Sequence, residues 1–290
     1  MRVDFTGKAV LVTGGTQGIG LETALAFGRR GASTILTHRW GSADEDAITE
    51  RFQEEGAPTP AILEADVARD EDTRALFESV RRYHERIEVF VSNVSFAPVC
   101  HTPSDLTRKG LRRGLEYSAW PFASYLQAIK EHFGAYPRYA IGLSSPGPEY
   151  FLPGYDVVAA SKSVMETFCR YLAADLLGDD VRVNVLRAWF CETRSLEATF
   201  GEDFAAFCRQ YHSDAFFLEA EEIASAIVGL CSGKMDAITG QVITLDRGLE
   251  FSDNVVRLFQ HRERVFAKTE SVGVEPATTR NARFEGKRSG

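Results

Sequence analysis

"TGGTQGIG", residues 13–20, is the stretch whose reading decides the fold. It follows the apolar run "KAVLV" (8–12) and leads into "QGIGLETALAFGRRG" (17–31), which has helical period and ends in glycine. A glycine-rich turn between a buried strand and a helix suits a pyrophosphate. Gly14 permits the tight turn, Gly18 and Gly20 let backbone amides approach the anion, and the helix dipole favours negative charge at that end. The position between strand and helix at the chain start is the context that gives such a loop meaning. Gly14, Thr16, Gly18, Ile19 and Gly20 are its candidate cofactor contacts.

The same alternation continues outward from this loop. Apolar runs at 33–39, 60–67, 87–93, 138–145, 181–188 and 240–246 read as further strands. Amphipathic stretches at 42–56, 70–86, 112–133, 155–177 and 219–232 read as helices between them. Strands alternating with helices predict an α/β fold, a Rossmann-type doubly wound parallel sheet of seven strands in one domain spanning 1–250. Two regions break the rhythm. Residues 189–218 are rich in aromatics and follow the sixth strand, where ligands of open sheets bind, so they are expected to form a substrate lid. Residues 251–290 form an extension. Residues 254–266 are a candidate docking helix, and the polar stretch from about 268 is expected to be disordered.

Composition excludes several function classes. The chain has 290 residues and a net charge of -8, with 33 basic against 41 acidic side chains and no basic stripe to attract nucleic acid. No stretch is apolar enough for a membrane span, and the N-terminus lacks the long apolar run of a signal peptide, so a cytoplasmic location is expected. Cys100, Cys169, Cys191, Cys208 and Cys231 are scattered, as are the six histidines, which gives no metal-ligand spacing.

The ends of the strands supply the remaining candidates. The second strand ends "LTHR", with no carboxylate to hold ribose hydroxyls before Asp44; Arg39 is placed to pair with a 2′-phosphate, which favours NADPH over NADH. Asp66 and Val67 end the third strand, where they would flank adenine. Asn93 ends the fourth, placed for the adenosine ribose or for the local backbone. In "YDVVAASK" (155–162), six residues separate Tyr155 from Lys162. The commoner spacing in reductases would put the tyrosine at 158, which is valine. Positions four and seven apart share a helix face, so Tyr155 points the same way from about 5 Å further toward the helix start.

Together, "TGGTQGIG", "DV" (66–67), "SN" (92–93), "SS" (144–145), Lys162, "RVN" (182–184), Thr193 and "GQVITLD" (240–246) resemble the short-chain dehydrogenase/reductase family across roughly residues 5–250. The segment 144–162 looks most like its NADPH-dependent enoyl-acyl-carrier-protein reductases, which share the tyrosine–lysine spacing. The resemblance implies that Lys162 holds the nicotinamide ribose and lowers the tyrosine pKa. It implies that Tyr155 hydrogen-bonds a thioester carbonyl, that Ser145 lines the site and that Thr193 contacts the cofactor. Hydride would reach the β carbon of an enoyl thioester, two bonds beyond the carbonyl carbon, which a set-back hydroxyl suits. The substrate would be an acyl thioester, on acyl carrier protein or coenzyme A. A homotetramer or homodimer built from the helices at 112–133 and 155–177 is also implied. Two departures stand out: Tyr117 where the family usually carries asparagine, and "RAWF" (187–190) in place of Pro-Gly. Arg187, Trp189 and Phe190 are expected near the nicotinamide, with Trp189, Phe190 and Tyr150 as substrate-pocket candidates. Alternatives from other classes are a carbonyl or imine reductase with a displaced tyrosine, and a catalytically silent nucleotide-binding protein.

Overall fold

In the computed structural model the described residues are 3–39, 41, 43–96, 98–211, 216–251, 253–260 and 262. Their strands are β1 (Ala9–Val12), β2 (Ser33–His38), β3 (Ala61–Glu64), β4 (Val89–Ser92), β5 (Tyr139–Ser144), β6 (Arg182–Ala188) and β7 (Val242–Leu245). They form one sheet in the order β3-β2-β1-β4-β5-β6-β7, and every pair in it is parallel. The order reverses between β1 and β4, so a crevice opens at their carboxyl ends. This is the Rossmann-type seven-stranded sheet expected from the sequence.

Both faces of the sheet are covered, as the continuous apolar strands require. Side chains alternate along each strand. Val10 and Val12 of β1 join Leu186 and Ala188 of β6 in one core, under α1 (Gly18–Gly28), α2 (Glu45–Glu54) and α9 (Ala220–Leu230). Ala9 and Leu11 join Val183 and Val185 in the other, under α3 (Asp70–Val80), α4 (Arg108–Ser118), α5 (Trp120–Phe133) and α6 (Asp156–Asp175). After β6 come α7 (Arg194–Phe200) and α8 (Asp203–Tyr211), and α10 (Asn254–Gln260) follows β7. Of the expected docking helix only this last stretch and residue 262 lie within the described residues; the polar tail lies outside them.

One expected element is divided. The single helix read over 112–133 is two helices meeting at Ala119 (φ -124°, ψ -54°). Pro121 is the cause: it has no N–H for the Tyr117 carbonyl, and its ring takes the space that carbonyl would occupy. The break turns Ser118 inward. Its hydroxyl accepts from Phe96 N at 2.9 Å and lies 3.2 Å from Ser95 Oγ, so it holds the segment after β4.

The glycine-rich turn is a close approach of backbone to backbone. Gly14 and Gly18 have φ of +62° and +52°. A Cβ on Gly20 would stand 2.3 Å from Gly14 O. Gly20→Ala is therefore expected to lower stability by about 1–3 kcal/mol through overpacking, read as a fall of several degrees in Tm together with weakened dinucleotide binding. An unchanged Tm would show that the loop relaxes freely.

Candidate active site

A cleft of about 840 Å³ opens at the carboxyl edge of the sheet. Gly14, Gly18 and Ile19 line one end, Ser145, Tyr155, Val158 and Lys162 the middle, and Trp189, Phe190, Thr193 and Phe200 the far side. Candidates from four separate strand ends thus meet in one place. Gly20 is buried behind the loop rather than on the cleft wall, and Thr16 lies half-buried in the turn.

The start of α1 is chemically suited to an anion. Gln17 at its N-cap makes no side-chain cap, and the first turn holds no acidic residue. Its terminal N–H groups are thus left to a ligand. These residues fit the pyrophosphate of a dinucleotide. Asn93 takes the second of its two expected roles: its amide donates to Thr13 O at 3.1 Å and Gly14 O at 3.0 Å, bracing the loop from β4.

Arg39, Asp66 and Tyr117 form a separate cluster. Asp66 Oδ2 accepts from the Tyr117 hydroxyl at 3.0 Å and lies 3.4 Å from Arg39 Nη1. The Arg39 guanidinium sits 4.7 Å from the Tyr117 ring centroid. Val67 is buried among the residues under α3. Asp44 caps α2 by accepting from Ala47 N and is not directed at a ribose. Tyr117, aligned with the family asparagine, therefore serves this cluster.

Tyr155 is the residue immediately before the first turn of α6, one position outside the helix expected to contain it. It still shares the cleft wall with Val158 and Lys162. A Cβ on Gly147 would meet the Tyr155 ring at 2.7 Å, so that glycine is what lets the loop close on the ring. On the other side the Phe200 ring stacks on it, with centroids 6.4 Å apart and planes 21° from parallel. Burial pushes the Tyr155 phenol above its ordinary value, with Ser145 opposing. A phenol raised in this way stays protonated and able to donate. Ser145 Oγ is itself buried and, though close to Tyr155, makes no hydrogen bond of good geometry among the described residues.

Lys162 is buried, and its Nζ donates to Leu143 O at 2.6 Å. Burial pushes its ammonium down from 10.5 to about 8, with Glu166 opposing. Glu166, one turn further along α6, was not singled out from the sequence, although the four-residue spacing puts it on the Lys162 face. It accepts from Ser144 Oγ at 2.7 Å and from Arg187 Nη2 at 2.8 Å.

The "RAWF" stretch divides by strand parity. Arg187 shares the face of Val183 and Val185, so it points toward α6 and not into the cleft, contrary to expectation. Trp189 and Phe190 do line the cleft. Tyr150 stands behind them, its ring edge-on to Trp189 at 5.6 Å, and is not on the cleft wall. Phe190 also packs against Phe200, Phe204 and Phe216. Thr193 caps α7 by accepting from Leu196 N at 3.3 Å. The next residue, Arg194, donates to Gln17 and ties the start of α7 to the nucleotide turn.

A doubly wound sheet with a glycine-rich first turn, and a tyrosine and buried lysine at its carboxyl edge, defines a short-chain type of nucleotide-dependent oxidoreductase. Comparison with known proteins narrows the class. A family model described as enoyl-(acyl carrier protein) reductase matches residues 14–250, and the chain belongs to that family, within the short-chain dehydrogenases/reductases. It is similar to the enoyl-[acyl-carrier-protein] reductase [NADH] FabI of Haemophilus influenzae, at 27% identity over 259 residues, covering 85% of this chain and 95% of that protein. It is similar too to the tetrahydroxynaphthalene reductase of Pyricularia oryzae, at 25% identity over 262 residues, covering 83% and 89%. Among solved structures, the enoyl-[acyl-carrier-protein] reductase (NADH) of Aquifex aeolicus shares the fold with a TM-score of 0.74, at 23% identity over 86% of this chain and 98% of that one. No helix among the described residues is long and apolar enough to cross a membrane.

The Lys162 value sets a pH dependence. Below about 8 the ammonium is protonated; above it the proton is lost, well before an exposed lysine would lose it. Activity that uses the cation should therefore fall as pH rises through that value, read in the pH profile of kcat/KM. Lys162→Arg, which does not titrate, should remove this limb from whatever activity remains.

Proposed function

We propose that the protein reduces the carbon–carbon double bond of an enoyl thioester, carried on acyl carrier protein or coenzyme A, with NADPH. The observation that carries this reading is the shared cleft wall of Tyr155, Val158 and Lys162, with the tyrosine three residues before the valine at the N-cap of α6. The family match and the FabI relatives support the enoyl part of this reading.

A reduced nicotinamide bound by these residues would supply hydride to the β carbon, and the α carbon would take its proton from solvent water. Tyr155, protonated and largely buried, donates to the thioester carbonyl as that oxygen gains negative charge. A donor already fixed in a low-dielectric cleft needs no reorganisation when the charge develops. Lys162 holds the nicotinamide ribose and keeps a positive charge beside the reacting centre. Ser145 adds a second hydroxyl on the same wall. The described residues 189–211 and 216–218 act as the lid, residues 212–215 lying outside the described ones: Phe200 stacks on the tyrosine ring, and Arg194 anchors the lid to the nucleotide turn. Self-association through α4 to α6 is supported by the outward Leu111, Trp120 and Tyr171.

NADPH is preferred on the strength of Arg39. It directly follows the second strand, no carboxylate occupies that place, and Asp66 with the Tyr117 ring holds the guanidinium at the carboxyl edge of the sheet. The FabI relatives are named for NADH, so both cofactors belong in the test. Arg39→Ala should raise the NADPH KM about 10- to 100-fold, the loss of one charge-assisted contact, with little change for NADH. Equal effects on both would remove the 2′-phosphate role.

The decisive assay is cofactor oxidation with crotonyl and acetoacetyl thioesters. Consumption with the first and not the second is expected; the opposite result makes the enzyme a carbonyl reductase. Tyr155→Phe should lower kcat about 10²- to 10³-fold, as loss of an oxyanion donor does, and leave NADPH binding intact. Full activity in that variant would refute the assignment.

A further inference from the structure

Tyr155 caps the start of α6, its carbonyl accepting from Ala159 N at 2.8 Å, but its ring lies against the preceding loop at Gly147. The tyrosine ends the loop 145–155, and the lysine lies in the second turn of α6. A hydroxyl and an ammonium that act together need a fixed separation, and an error of about 1 Å at such a site is enough to lower rate about 100-fold.

Arg187 spans the two elements. It reaches from β6 into the layer beneath the cleft, where only 7% of it is exposed. Its guanidinium meets Glu166 of α6 side-on through one edge, Nη2 at 2.8 Å from Oε2 and Nε at 3.2 Å from Oε1. The same Nη2 lies 3.1 Å from Glu149 Oε1, in the loop that presents Tyr155. Ser144, at the end of β5, donates to Glu166 from a third side. Neither Arg187 nor Glu166 is on the cleft wall.

We propose that Arg187 is a positioning residue, tying the Tyr155 loop through Glu149 to the Lys162 helix through Glu166. The proposal rests on Tyr155 and Lys162 being the reacting couple. Arginine suits the task because its planar fork serves two carboxylates at once, which a lysine ammonium does less well. The two halves differ in strength. Glu166 is 4% exposed and anchors the guanidinium. Glu149 is exposed, its side chain at 54%, so that link is a light tether. A pair held only for folding would leave the rate of a folded variant untouched.

The test compares wild type, Arg187→Met, Arg187→Lys, Glu149→Gln and the Arg187→Met/Glu149→Gln pair. The measurements are kcat with crotonyl-coenzyme A, the NADPH Kd and Tm. Arg187→Met should lower kcat about 10- to 100-fold with NADPH Kd little changed, and Arg187→Lys should recover part of the loss. Glu149→Gln should lower kcat about two- to five-fold, the size of an exposed ion pair, and should add nothing on the Arg187→Met background. A folded Arg187→Met enzyme with wild-type kcat overturns the proposal. If that variant does not fold, wild-type kcat in both Glu149→Gln and Arg187→Lys overturns it. No wild-type turnover of enoyl thioesters sinks the enoyl reading instead, and the variants are then compared on the ketoacyl thioester the enzyme reduces, with the same expectation.

Discussion

Seven strands running in one direction put every strand-to-helix turn on the same edge of the sheet. That constraint explains why residues far apart in sequence share one cleft. The glycine turn follows β1, Asn93 follows β4, Ser145 follows β5 and Trp189 follows β6. Their convergence needs no contact designed for it beyond the register of the sheet. The two apolar layers that cover the sheet hold this register, because a slip of one residue would exchange its two faces.

On this edge the protein keeps charge under apolar cover. Lys162 lies buried with a backbone carbonyl as its hydrogen-bond partner, and Glu166 and Arg187 are buried just behind it. Charges placed so are unfavourable for folding unless paired. The lysine is bonded to a neutral carbonyl, and burial pushes its ammonium down to about 8. A cation buried at the floor of the cleft has a stronger field than one in bulk water. The stability of the sheet is what makes such a placement tolerable.

Most of the architecture could be read from the sequence, because buried parallel strands and amphipathic helices have distinct periods. The tyrosine–lysine wall was readable for the same reason: the positions four and seven before Lys162 share its face. The break at Ala119 was missed although Pro121 marks it, since the apolar pattern runs through the break unbroken. Arg187 was misdirected for want of a parity count; Val183 and Val185 on its own face would have turned it away from the cleft. Glu166 was visible as the residue one turn past Lys162 but had no partner until β6 was placed beside α6. The pairing of Asp66 with Tyr117, and of the Asn93 amide with the nucleotide turn, joins segments whose adjacency only the folded chain reveals.

The carbon that receives hydride defines the reaction. The most direct measurement uses NADPH deuterated at the transferring C4 position with a mixture of crotonyl- and acetoacetyl-coenzyme A, the products analysed by mass spectrometry and NMR. Deuterium on the β carbon of a saturated thioester is the predicted result. Deuterium confined to a carbinol carbon formed from ketoacyl substrate, with the alkene untouched, would contradict it.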